Sequence, residues 1–164
     1  MFVVAIDVGI KNLGLCVYDF TTSKVVHWDT VSLTNGRYIP ALNVQYVLKF
    51  VAKYAVFFEQ AVTIVIERQM RCNMRIIEAI LETLFYDRCR VIHARSIKAH
   101  YKLSTRNYRA NKQKAVEWAE AFVNANPSAF TCADVFRQSA KRDDLADSLL
   151  LVMYYLDTYS NQLE

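Results

Sequence analysis

Short, mostly apolar runs mark where strands are expected along the chain. Residues 2–6, 62–66 and 90–94 are predicted to be strands buried on both faces, because such strands lack polar alternation. Residues 13–20 and 24–33 are joined by a polar turn, which favours an antiparallel meander with the first strand.

Helices are expected where apolar residues recur every three or four positions. This spacing predicts helices over 41–59, 70–86, 112–123 and 143–159. Asn111 is expected to cap the third of these helices, and residues 95–110, which have no clean period, are predicted to form a loop. The element order predicts an α/β fold with a mixed five-stranded sheet and helices on both faces.

Size and composition narrow the class of protein. The 164 residues, 54% of them hydrophobic, are predicted to form one domain, residues 1–164. The longest apolar run is too short to span a bilayer and the N-terminus lacks a basic signal region, so an intracellular protein is expected. The four cysteines lie far apart in sequence, which favours buried free thiols over a zinc site.

Positive charge is concentrated in one segment. The net charge is only +4, yet residues 88–114 hold nine of the 20 Lys and Arg residues and no acid. Tyr101 and Tyr108 are interleaved with these cations. A block of this kind is typical of a surface that binds a polyanion.

Acidic residues interrupt apolar segments at three places. Asp7 ends the first strand and Glu67 ends the fourth, and a carboxylate there must be compensated by a cation, a proton or a donor. Asp144 and Asp147 share one face at the start of the apolar last helix. Asp143, beside them, fits an N-terminal capping role.

Four converging carboxylates indicate a divalent metal site. Hard oxygen ligands select Mg²⁺, for which Mn²⁺ can substitute. Two such ions would activate a water and stabilise the leaving oxygen of a phosphodiester. The basic segment would then hold a nucleic acid against the metals.

The motifs IDVGIKNLG, IVIERQ and DDLADSLLL, in this order, resemble those of RuvC-like Holliday junction resolvases of the poxvirus type. This resemblance implies an RNase H-like fold and a structure-selective endonuclease that cuts four-way DNA junctions with paired symmetric nicks in viral DNA replication. It implies metal ligation by Asp7, Glu67, Asp144 and Asp147, and host cytoplasm as the compartment.

The resemblance also implies a catalytic lysine at the start of the helix after the basic segment. Lys112 fits this role better than Lys114, because it places apolar residues on the core face of that helix. Basic residues near the motifs and in the basic segment are predicted to bind DNA: Lys11, Arg68, Arg71, Arg75, Arg95, Lys98, Lys102, Arg106, Arg109 and Lys114.

The helix predicted over residues 70–86 is the candidate surface for a homodimer. Its apolar residues exceed what one sheet can cover: Met70, Met74, Ile76, Ile77, Ile80, Leu81, Leu84 and Phe85. A dimer would match the symmetry of a four-way junction, and the resemblance to RuvC-like resolvases implies dimerisation through the helix that follows the glutamate strand. The alternative is that this helix is enclosed between the sheet and the last helix of its own chain.

Two other functions remain open from the sequence. One is a related nuclease of the YqgF type that acts on RNA, since the same acids supply the same chemistry. The other is a nucleic-acid-binding module without catalysis, although such modules usually lose acids that are present here. An actin-like ATPase is disfavoured, because a chain with 3 glycines lacks a glycine-rich adenosine motif.

Overall fold

The apolar runs form a mixed five-stranded sheet in a computed structural model that describes residues 1–159. The strands are β1 (Phe2–Asp7), β2 (Leu13–Asp19), β3 (Lys24–Val31), β4 (Ala61–Glu67) and β5 (Cys89–Ile92). The helices are α1 (Asn43–Lys53), α2 (Ala55–Glu59), α3 (Cys72–Leu84), α4 (Ala94–His100), α5 (Tyr108–Ala125), α6 (Ala133–Gln138) and α7 (Arg142–Tyr159).

The strand order across the sheet is β3-β2-β1-β4-β5. The first three strands form an antiparallel meander, and β4 and β5 run parallel to β1. Strand β1 is therefore central, with neighbours on both sides and side chains packed on both faces. Val3 and Ala5 point into one core while Val4 and Ile6 point into the other, which explains the uninterrupted apolar run.

Helices cover both faces of this sheet, as the sequence predicts. On one face, α7 lies across the central strands and packs against α5. On the other face, α1, α2 and α3 enclose the second core. Residues 149–156 of α7 form an uninterrupted apolar run, because this part of the helix is covered by both the sheet and the neighbouring helices.

The loop prediction for residues 95–110 is correct only for residues 101–107, which connect two helices. Helix α4 occupies the first part, where only Ile97 is buried, so too few core residues exist to show a helical period. Helix α5 begins at Tyr108, and Asn107 caps it by accepting from the amides of Arg109 and Ala110 at 2.9 and 3.3 Å. The predicted cap, Asn111, instead accepts from the Thr105 amide and closes the preceding turn.

Three other sequence predictions differ from the structure. The helix predicted over 41–59 is divided at Tyr54 into α1 and α2. Helix α6 lies in a stretch expected to be irregular, and its Phe136 stacks on Trp28 with ring centroids 4.8 Å apart. All four cysteines are free thiols, as predicted, but only Cys16 is buried and Cys72 is exposed.

The helices differ from membrane spans in length or in polarity. Within residues 1–159, none of them is both long enough and apolar enough to cross a bilayer.

Candidate active site

Two neighbouring parallel strands bring Asp7 and Glu67 to the same edge of the sheet. Ile6 of β1 is paired in register with Ile66 of β4, and each strand ends one residue later in its acid. Both side chains are partly buried. The adjacency predicted from the two strand ends is therefore present.

A glycine lets α7 deliver the other two acids to this edge. Gly14 of β2 lies opposite Asp7 in the sheet, and a Cβ atom there would be 2.4 Å from the backbone oxygen of Asp144. Only a residue without a side chain allows α7 to pack this closely. The close contact places Asp144 and the buried Asp147 beside the strand ends.

These acids face one cleft with a volume of about 670 Å³. Asp7, Glu67, Lys112, Asp144 and Asp147, the residues predicted to carry catalysis, all line it. Lys98, Arg68, Arg71, Lys11 and Tyr108 complete much of its polar wall. The structure thus collects the predicted acids and lysine in one place.

Burial and mutual repulsion raise the pKa of each acid in the cleft. Burial, followed by the charges of Glu67, Asp147 and Asp144, holds the pKa of Asp7 well above its usual value. Burial and the charge of Asp147 raise the pKa of Glu67 to about 7. Burial and the charge of Asp143 raise the pKa of Asp144 to about 6. Burial also raises the pKa of Asp147, although Lys98 and Lys112 oppose the shift.

Two lysines partly balance this negative charge. The Lys112 ammonium donates a hydrogen bond to Oδ2 of Asp143 at 2.5 Å. Burial works to lower the pKa of Lys112, but the bond and charge of Asp143 raise it above its usual value. Nζ of Lys98 lies 3.6 Å from Oδ1 of Asp147. Lys98 therefore sits inside the acidic cluster, whereas the sequence suggested only a place on the DNA-binding surface.

The residues predicted to bind DNA occupy different environments. Lys11 donates to the backbone oxygens of Thr34 and Gly36 at 2.8 and 2.6 Å, which ties it to the loop after β3. The guanidinium of Arg68 pairs with Glu78 at 2.9 Å. Arg75 lies beside an apolar groove on α3. The others are exposed at the cleft rim, in α4 or around the start of α5: Arg71, Arg95, Lys102, Arg106, Arg109 and Lys114.

Residues that the sequence analysis did not single out also contact the acids. Nε2 of Gln69 lies 3.4 Å from Oδ1 of Asp7 and donates to the backbone oxygen of Glu67 at 3.1 Å. Asp143, predicted to cap the last helix, lies inside the first turn of α7, which begins at Arg142, and its carboxylate pairs with Lys112. Gln69 could have been noticed from its place two residues after Glu67, but the partner of Asp143 depends on how α5 and α7 pack.

The acids form a suitable donor set for a hard cation, although they do not yet enclose one. Their ligand atoms are all carboxylate oxygens, and Oδ1 of Asp147 is buried without a hydrogen-bond partner among the described residues. Within residues 1–159, no three Asp, Glu, His or Cys side chains are already arranged closely around one ion position.

The raised pKa values predict a stability that falls with pH when no metal is bound. Each acid favours its proton more in the folded chain than in the unfolded chain. The stabilisation is thus present below the unfolded pKa of about 4 and is lost as pH rises through about 6 for Asp144 and about 7 for Glu67.

The Glu67→Gln variant should relieve this repulsion. In EDTA at pH 8 we expect its free energy of unfolding to exceed that of the parent by about 1–3 kcal/mol, measured by urea unfolding. The difference should shrink at pH 5, and the exposed Glu59→Gln variant should behave like the parent. Equal or lower stability of Glu67→Gln at pH 8 would contradict the electrostatic description.

Comparisons with known proteins agree with this architecture. A family model described as Poxvirus A22 protein matches residues 1–158. No curated protein matched the sequence.

Several solved structures share the fold at low sequence identity. The Holliday junction resolvase of fowlpox virus is 19% identical, with a TM-score of 0.68 over 96% of this chain and 99% of that chain. The yeast mitochondrial Holliday junction resolvase is 17% identical, with a TM-score of 0.68 over 99% and 86% of the two chains. Thermus thermophilus RuvC, solved with a Holliday junction substrate, is 13% identical, with a TM-score of 0.57 over 98% and 97%. This likeness identifies the RNase H-like fold of the sheet and its helices.

Proposed function

The chain belongs to the family described as Poxvirus A22 protein, and from that premise we propose that it is a nuclease that resolves four-way DNA junctions. The observation that carries the proposal is the cleft where Asp7, Glu67, Asp144 and Asp147 meet two lysines. The fowlpox virus resolvase, which has been solved with its substrate Holliday junction DNA, shares this fold at a TM-score of 0.70.

We propose that the four carboxylates hold two Mg²⁺ ions, with Mn²⁺ as a substitute. The all-oxygen donor set, the raised pKa values and the buried Oδ1 of Asp147, which accepts no hydrogen bond and has only the Lys98 ammonium nearby among the described residues, support this assignment. When bound, the ions supply an activated water and charge stabilisation for phosphodiester hydrolysis.

The lysines of the cleft supply fixed positive charge. Asp143 holds the Lys112 ammonium in the cleft wall, where it can contact the phosphate oxygens that gain charge during cleavage. Lys98 lies close to Asp147 and offsets the repulsion between Asp147 and Glu67. We propose Lys112 as a catalytic residue and Lys98 as a second cation of the site.

DNA would be held by the exposed cations around the cleft. Arg71 stands at its rim, and Lys102, Arg106 and Arg109 lie in and beside the turn that connects α4 to α5. Their contacts would be to phosphates, so affinity should depend on salt more than on sequence. Lys11 and Arg68 have partners within the protein, so we assign them a smaller share of DNA binding.

The substrate class can be tested by direct cleavage. We expect nicking of a mobile four-way junction with Mg²⁺, no nicking with EDTA, and much slower reaction on linear duplex or flap DNA. Preferential cleavage of an RNA hybrid would instead support an RNA-processing nuclease. Binding of the junction without any cleavage in Mg²⁺ or Mn²⁺ would indicate a non-catalytic module.

We propose that the working enzyme is a homodimer formed through α3. In the structure Ile77, Leu81 and Phe85 are buried in the core, so these members of the apolar set serve the fold. Ile76, Ile80 and Leu84 line a groove of about 630 Å³ between α1 and α3, whereas Met70 and Met74 line the acidic cleft instead. The exposed apolar residues of the groove include Val44, Ile76 and Leu84, which are 53%, 42% and 42% exposed.

A charge placed in this groove should separate the protomers. Ile76→Glu would bury like charges across a two-fold axis, so we expect the dimer Kd to rise by about 100-fold or more. Sedimentation equilibrium at micromolar concentration measures this change. Val56→Glu, at an exposed apolar position on α2, should leave the dimer intact. A parent protein that sediments as a 19.0 kDa monomer would rule out the dimer.

The family also suggests a biological setting. We propose that the chain resolves branched and concatemeric DNA during viral replication, in the cytoplasm of the host cell. Two cleft sites related by a two-fold axis would cut opposing strands of one junction, which produces a symmetric pair of nicks.

A further inference from the structure

Glu78 is a buried acid that the proposed chemistry does not use. It lies on the inner face of α3 and is only 1% exposed. Its Oε1 pairs with the Arg68 guanidinium at 2.9 Å, and its Oε2 accepts from the backbone amide of Gln69 at 2.7 Å. A buried carboxylate is retained only where such partners offset its loss of hydration.

The two partners of Glu78 directly follow Glu67, at the end of β4. The Gln69 side chain then reaches back into the cleft, toward Oδ1 of Asp7 and the backbone oxygen of Glu67. Both of these atoms are acceptors, so the NH₂ group of the amide must face them. Gln69 is thus held through its backbone by Glu78 and contacts Asp7 through its side chain.

We infer that Glu78 is a positioning residue that acts through Gln69 to set the orientation of the Asp7 carboxylate. The inference rests on the proposed function, because it assigns Asp7 to metal ligation. Glu78 fixes the backbone after β4, and Gln69 donates to one oxygen of Asp7 and leaves the other available as a ligand. Glu78 itself lies beneath the surface that would meet DNA.

Loss of the Glu78 carboxylate should therefore impair metal capture and turnover while junction affinity is retained. The neutral side chain of the Glu78→Gln variant would offer the Gln69 amide a weaker acceptor and would leave Arg68 unpaired. Arg68 is partly exposed and can turn toward solvent, so the substitution does not trap an unpaired charge in the core.

The first experiment compares Glu78→Gln with Glu82→Gln, an exposed acid one turn later on α3. For Glu78→Gln we expect at least a tenfold fall in turnover at limiting Mg²⁺, partial recovery at high Mg²⁺ and a junction Kd within twofold of the parent. Glu82→Gln should match the parent. A Glu78→Gln enzyme with parental turnover and Mg²⁺ dependence would overturn the inference.

Gln69→Ala provides a second variant that leaves the buried ion pair intact. It removes only the side chain that contacts Asp7, so the same rise in Mg²⁺ requirement is expected without loss of thermal stability. Parental Mg²⁺ dependence in Gln69→Ala would also overturn the inference, because the link from Glu78 to Asp7 passes through this side chain.

An NMR measurement in EDTA separates this inference from the proposed function. The Gln69 backbone amide and its side-chain NH₂ should both shift in Glu78→Gln and remain unchanged in Glu82→Gln. If the parent protein does not cleave junctions but these shifts occur, the proposed function fails while the link from Glu78 to Gln69 stands. Unchanged Gln69 resonances would refute the link even in an active nuclease.

Discussion

Asp147→Asn should abolish most junction cleavage while leaving the protein folded and able to bind DNA. Under the proposed function the substitution removes a negative metal ligand and weakens metal capture, so we expect single-turnover cleavage to fall by about 100-fold or more. Asp7→Asn, Glu67→Gln and Asp144→Asn should behave alike, because all four acids face the same cleft.

Activity and stability should change in opposite directions in these variants. Each substitution also removes repulsion that raises the pKa of its neighbours, so the metal-free variants should melt at or above the parental temperature. Asp134→Asn, at an exposed position on α6, serves as the control and should retain parental cleavage. Near-normal turnover in any two of the four cleft variants would show that the assigned tetrad is wrong.

Lys112→Ala should lose turnover rather than affinity. The ammonium lies in the cleft wall, bound by Asp143, where it can stabilise charge that develops on the phosphate during cleavage. We expect the single-turnover rate to fall by roughly 100-fold with a junction Kd within about threefold of the parent. Lys102→Ala should do the reverse and weaken binding while reducing its dependence on salt.

Lys114→Ala is the matched control for the choice between the two neighbouring lysines. Lys114 is exposed on the same helix and does not line the cleft as the structure describes it. Its substitution should have little effect on the cleavage rate of bound junction. Loss of turnover in Lys114→Ala with parental turnover in Lys112→Ala would reassign the catalytic lysine.

The sheet and the acids could be predicted from sequence because their signals are local. A strand buried on both faces is uniformly apolar, so the positions of β1 and β4 were predictable, and an acid at the end of each was conspicuous. The convergence of Asp7 and Glu67 then follows from parallel pairing of adjacent strands. Asp147 was identifiable because it lies one turn inside the last helix, just before the apolar run at residues 149–156.

The two short helices α4 and α6 could not be predicted from the sequence, because each buries too few residues to produce a helical repeat of apolar positions. Helix α4 contributes only Ile97 to the core and α6 contributes only Phe136. Their positions depend on partners far away in sequence, such as Trp28, on which Phe136 stacks. Sequence periodicity cannot report contacts of that kind.

The environments of individual charged residues could not be predicted for the same reason. In sequence Lys98 is one cation among many in a basic segment, and its approach to Asp147 arises only when α4 docks beside α7. In the sequence Glu78 cannot be distinguished from a surface acid on a helix. In the structure its side chain is directed toward Arg68, at the end of β4. Tertiary packing therefore decides which charges belong to the site.

Junction resolution by paired nicks can be measured on a supercoiled plasmid that extrudes a cruciform. A dimer with two active sites should cut both strands within the lifetime of one complex. We expect full-length linear DNA to form in Mg²⁺ without accumulation of nicked circles. Nicked circles that persist as the main product would contradict paired cleavage, and an uncut cruciform would contradict the assignment as a junction resolvase.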